Sequence, residues 1–191
     1  MIRALSLTLV AAFLAVPCVA EAYTISFEPD PATLDGLNHY KVYEWGIDVD
    51  LPAGEFVSEA VLTFDSIRNW DNNPNDLYVW LLDNAALGVT VLTDNQGGGD
   101  YFAARNPLTH TPLVHYKDLT TTPEDKTYVF TPDEVTALNA YLADDRIGIG
   151  FDPDCHYWNC GIGLELTVVP EPASLAMLGL GGVVMMIRKR R

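Results

Sequence analysis

Tyr43-Glu44-Trp45-Gly46-Ile47-Asp48-Val49-Asp50-Leu51 sets apolar residues against polar or small ones at alternate positions. A period of two belongs to a strand whose side chains point to opposite faces of a sheet. One polar face further marks a half-buried antiparallel strand. Tyr23-Thr24-Ile25-Ser26-Phe27 repeats the pattern. Ala60–Phe64, Leu77–Leu82, Gly88–Leu92, Tyr128–Phe130, Ile147–Phe151 and Ile162–Val168 are further short apolar runs of strand length. Turn-forming clusters separate them: Pro52-Ala53-Gly54, Asn72-Asn73-Pro74-Asn75-Asp76 and Gly97-Gly98-Gly99-Asp100. Many short strands at this spacing predict a mainly β protein, an antiparallel sandwich or jelly roll. The absence of a fixed-period repeat argues against a solenoid.

One short helix is expected in this background. Thr131-Pro132-Asp133-Glu134 offers an N-cap threonine, a proline in the first turn and a glutamate three residues on. These are the parts of a capping box. Val135, Leu138, Tyr141 and Leu142 then recur at helical spacing, giving an apolar face suited to covering part of the sheet.

Outside the sandwich, both ends read as delivery segments. Arg3 precedes an apolar run from Ala4 to Val16, Pro17 breaks it, and Ala20-Glu21-Ala22 places small residues before Tyr23. That order is a cleavable secretory signal over residues 1–22. Pro17 stands where a lipidation site needs a small residue before Cys18, so lipidation is not expected. The folded domain is then expected over 23–168.

Between Tyr23 and Pro170, twenty-four acidic residues face Lys41, Arg68, Arg105, Lys117, Lys126 and Arg146, a formal charge of −18. Such a domain repels phosphate backbones and anionic membrane surfaces, which excludes nucleic acid as a partner. Cysteine use follows from export. In an oxidising compartment Cys155 and Cys160 are expected to pair. The loop is small, so the bridge adds only about 2–3 kcal/mol in a chain-entropy model. Two free thiols are the alternative, and C-x4-C beside a lone His156 is too poor in soft ligands for zinc.

At the other end, Pro170-Glu171-Pro172 forms a stiff, extended segment. It is followed by an uncharged apolar stretch, residues 173–187, and by Arg188-Lys189-Arg190-Arg191. The stretch is short for a full span, and a basic cluster of this kind stays on the cytoplasmic side. Taken in this order, residues 169–191 resemble the PEP-CTERM sorting segment, which also carries the label ice-binding protein C-terminal domain. No Thr-x-Thr ladder is present to support an ice-matching face. The resemblance implies an exosortase as processing partner, with Pro170, Glu171 and Pro172 as its recognition residues. It also implies the outer surface of a Gram-negative bacterium that makes extracellular polysaccharide, with a C-terminal hydrophobic helix held in the membrane before processing.

Four acidic segments are candidates for ligand or calcium binding, since calcium takes six to eight oxygen ligands. Asp71 to Asp76 is rich in oxygen donors but lacks the EF-hand order. Asp94 to Asp100 adds glycines that let carbonyls converge, and Asp48 with Asp50 share one strand face. Gly150 to Cys160 combines Asp152, Asp154 and His156 with Tyr157 and Trp158, whose rings suit stacking on sugars. Ordinary turn chemistry explains the same composition, because Asn, Asp and Gly tolerate tight turns. No nucleophile elbow, metalloprotease helix or phosphate loop occurs, so the protein is not expected to be an enzyme. The favoured reading is a non-catalytic surface protein binding polysaccharide, with calcium as a candidate cofactor. A purely structural matrix protein is one alternative. A small hydrolase using Asp152 or Asp154 with His156 is the other.

Overall fold

A computed structural model describes residues 21–94, 98–106 and 108–171. Residues 1–20 of the expected signal segment, and the tail from Pro172 onward, lie outside these residues. Ala22–Glu171 forms one compact unit. Its strands are β1 (Tyr23–Phe27), β2 (Lys41–Asp48), β3 (Glu55–Asn69), β4 (Asp76–Leu82) and β5 (Gly88–Thr93). After them come β6 (His110–Lys117), β7 (Glu124–Val129), β8 (Arg146–Pro153), β9 (Tyr157–Trp158) and β10 (Gly161–Pro170). Helix α1 (Pro132–Tyr141) precedes β8.

Two antiparallel sheets result, as the alternating pattern predicts. One runs β1-β10-β3-β7, with β9 added to the end of β3, and the other runs β5-β2-β8-β4-β6. Alternate residues of facing strands fill the space between them. Leu62, Phe64, Leu164 and Leu166 meet Val79, Leu81, Ile147, Ile149 and Phe151, all buried. Phe64 joins the layers edge-on, with ring centroids 6.0 Å from Phe151 and 5.7 Å from Tyr116. Edge-to-face pairs of this kind add to the burial of large apolar surfaces.

Helix α1 starts as its sequence dictates. Thr131 accepts the Glu134 N–H, the Glu134 carboxylate accepts the Thr131 N–H at 2.6 Å, and Pro132 occupies the first turn. The second Glu134 oxygen takes the Tyr128 hydroxyl at 2.7 Å. Asn139 bonds both the N–H and the C=O of Val57, fixing the helix on β3 while Leu138 and Tyr141 enter the core.

Strand lengths depart from expectation where tertiary pairing extends them. β3 covers Glu55–Asn69, far beyond the apolar run Ala60–Phe64, because β10, β7 and β9 pair along it in turn. β6 has no apolar signature and contains Pro112, yet it completes an edge of the second sheet. An edge position tolerates the missing proline donor. A register shift at Val79/Trp80, opposite Pro112, takes up the irregularity.

β10 likewise continues past the expected boundary. Pro170 pairs with Glu55, and the Glu171 N–H donates to Gly54 O at 2.6 Å. The first half of the Pro-Glu-Pro segment is therefore part of the sheet, where sequence alone suggests a solvated extension. Among the described residues, no helix is long and apolar enough to cross a membrane. Residues 173–187 are not among them.

Candidate functional site

The segment Gly150–Cys160 carries carboxylates and aromatic rings together in the sequence, and the fold separates them. Asp152 belongs to the outer face of the second sheet near the end of β8, and Asp154 follows that strand, its N–H bonded to Asp76 O. Tyr157 and Trp158 form β9 against β3 in the first.

On the outer face, residues 98–106 lie as a strap across β8. Phe102 is buried over Gly150, where an added Cβ would fall 2.6 Å from the phenyl ring. Only glycine permits that approach. Asp152 is fully buried and accepts the Tyr101 N–H at 2.6 Å, and Asp154 accepts the Gly99 N–H at 3.0 Å. The Arg105 guanidinium lies 4.5 Å from the Tyr101 ring centroid, a cation–π contact. The second oxygens of Asp152 and Asp154 are buried without a hydrogen-bond partner. Burial pushes the Asp152 carboxyl up to about 7, opposed by the Tyr101 N–H and reinforced by Asp154, Asp94 and Asp100. Asp154 is raised as well, again mainly by burial. The two loops flagged separately for calcium, 94–100 and 150–160, are thus joined through carboxylate-to-amide bonds.

The Asn-rich loop is held by local hydrogen bonds. Asp71 accepts the Asn73 N–H and the Asn69 and Asn73 side-chain amides. Asp76 holds His115 Nε2 at 2.6 Å, with Lys117 Nζ at 3.8 Å, and the His115 ring stacks on Tyr78 at 4.2 Å. Among the described residues, no three of His, Cys, Asp and Glu are grouped to hold a metal ion.

The aromatic half of the segment sits at the far end of β3. Arg68 pairs with Trp158, Asn69 pairs with Tyr157, and the Trp70 N–H donates to His156 O at 3.0 Å. In an antiparallel ladder, residues 68, 70, 156 and 158 share one face and 69 and 157 the other. Burial follows this division. Asn69 and Tyr157 are 1% and 0% exposed, whereas Trp70 and Trp158 are 58% and 48% exposed. The His156 ring packs 4.4 Å from that of Trp158. Beneath it passes Gly36, in the left-handed region at φ 72°, where a Cβ would come 3.3 Å from His156 Nε2. Burial, then His39, lowers the His156 pKa and favours the neutral imidazole. Arg68 makes no ion pair among the described residues.

The expected bridge between Cys155 and Cys160 does not form, and both thiols are free. Cys155 packs against the core, while Cys160 is exposed with its N–H bonded to Asp65 O at 2.8 Å. The intervening loop is held by main-chain pairing instead. Tyr157 exchanges both main-chain bonds with Leu37, at 2.8 and 3.0 Å, and β9 pairs with β3 on its other side. Sequence reasoning placed Trp158 in a candidate loop but passed over Arg68 and Trp70. No local signal relates them, because only the β3–β9 pairing sets them on one face.

At the opposite end of β3, Glu55 pairs with Pro170 and its carboxylate accepts the Tyr23 hydroxyl at 2.6 Å. The fifteen residues of β3 span fourteen steps, at most about 46 Å of strand at ~3.3 Å per residue.

Residues 168–191 match the PEP-CTERM protein-sorting motif. No curated protein matches the chain. Among solved structures it is similar to a latent aurone synthase (polyphenol oxidase) from natural source and to its recombinantly expressed form. Each is 9% identical with a TM-score of 0.41, covering 76% of this chain and 28% of the enzyme.

Proposed function

We propose that this protein is a non-catalytic surface module that binds extracellular polysaccharide at the end of its sandwich opposite Pro170. The motif at residues 168–191 marks an exported protein processed by an exosortase. The reading adds that residues 173–187 hold the chain at the membrane of a Gram-negative cell until processing. The observation that carries it is the layout of β3. Pro170 pairs at one end, and two exposed tryptophans frame the other. Within the folded unit the aromatic face and Pro170 therefore lie at opposite ends of one strand.

Two features support a non-catalytic role. The hydrolase alternative would need His156 beside Asp152 or Asp154, and these make no ion pair with it among the described residues. One oxygen of each carboxylate is also engaged by a main-chain amide of the strap.

The test is retention of the exported, tail-processed protein on polysaccharide from the cells that make it. Retention resistant to washing is the expected result. Release of all protein at physiological salt, or recovery of the intact chain from the cytosol, would sink the reading.

A further inference from the structure

Two indoles about half exposed on one face of one ribbon are costly to leave in water, and their surroundings narrow what covers them. They offer roughly 200–300 Å² of aromatic surface, well below the ~800 Å² per partner of a standard protein interface. The face is not continuously apolar either. Arg68, opposite Trp158 and two residues before Trp70, shares their face and makes no ion pair among the described residues. Flat rings with a hydrogen-bond donor on the same face match a sugar chain, whose C–H faces stack on indole and whose hydroxyls ring its edge. The charge of −18 across the domain disfavours a polyanion.

We infer that the Trp70–Trp158 face is the glycan site and that it takes an uncharged, pyranose-rich polysaccharide. The chain lies across both indoles while Arg68 donates to its hydroxyls. His156 is a positioning residue: its ring packs against Trp158, and Gly36 leaves it room. The assignment rests on the polysaccharide reading above and supplies its ligand class and residues.

The experiment uses the exported, tail-processed protein and its Trp70→Ala, Trp158→Ala, double and Arg68→Gln variants. Binding is measured by affinity electrophoresis in gels containing a neutral glucan, a neutral mannan or alginate, at low and high salt. At least one neutral polymer is expected to retard the wild type with little salt dependence. Each tryptophan variant is expected to weaken that retardation roughly tenfold, the double variant to abolish it, and Arg68→Gln to weaken it severalfold. Leu87→Ala, which removes an exposed apolar side chain elsewhere, is expected to bind as the wild type. Unchanged unfolding midpoints exclude misfolding as the cause, since both indoles are surface groups. Wild-type binding preserved in the double variant overturns the site while leaving the polysaccharide reading intact. Salt-sensitive binding to alginate alone overturns the ligand class. No binding to any polymer, including material from the producing cells, overturns both.

Discussion

The Tyr157 hydroxyl donates a 2.9 Å hydrogen bond to Asn75 Oδ1 beneath the aromatic ribbon. That bond ties β9 to the Asn-rich loop before β4. Asn75 also accepts the Leu119 N–H and donates to Leu119 O, both at 3.0 Å, so one buried amide locks three segments. Asn75→Ala strands a phenol, an N–H and a carbonyl together, at about 1–3 kcal/mol for each group left without a partner. The unfolding midpoint is expected to drop markedly, whereas Tyr157→Phe, which leaves the Leu119 bonds in place, costs only about 1–2 kcal/mol. Chemical denaturation of the two variants checks the order.

Asp152 makes stability depend on pH in a definite direction. Its carboxyl is raised from the ordinary carboxylate range to about 7, so the folded state favours the protonated form. The corresponding stability is complete below the ordinary carboxylate pKa and is lost as pH rises through about 7, a swing of about 2–4 kcal/mol. Asp152→Asn keeps an acceptor for the Tyr101 N–H and cannot ionise. Thermal scans from pH 4 to 8 are expected to show the wild type losing stability relative to this variant as pH rises. A constant difference across the range would contradict the assignment.

Gly150→Ala is expected to dislodge the strap. The new methyl meets the Phe102 ring at 2.6 Å, and overpacking of this kind costs about 1–3 kcal/mol. Limited proteolysis should then cut within residues 98–106 at a protease concentration that spares the wild type. Glycan binding should persist, because the ribbon lies on the other sheet.

Thiol chemistry distinguishes the structure from the pairing expected for an exported chain. After removal of the signal segment, native protein should react at Cys160 with maleimide, and Cys155 should follow slowly or only on unfolding. Cys160→Ser is expected to move stability by less than about 0.5 kcal/mol. A mass two hydrogens short, with no labelling before reduction, would refute the free thiols.

Local chemistry was legible in this sequence and remote pairing was not. The alternation in Tyr43–Leu51 marked β2, although the strand stops at Asp48. Beyond it the Val49 N–H leaves the ladder for Asp145 O. The Thr131–Glu134 box placed the start of α1 because a cap is a four-residue property. β6 was obscured by Pro112 and its polar residues, which only an edge strand accepts. β9 is two residues long and exists only through partners far away in the chain. The acidic loops showed their composition but not their use. That Asp152 reaches for the Tyr101 N–H depends on how the strap crosses β8, and no spacing encodes that path.

The first and last strands of the sandwich are hydrogen-bonded neighbours, with Tyr23 opposite Val168 and Phe27 opposite Leu164. A polypeptide threaded outward from its amino end delivers β1 long before β10 has crossed. During that interval β1 has no native mate, and its open backbone is a hazard for stray pairing. Closure of this sheet therefore waits for β10, which pairs with β1 on one side and β3 on the other.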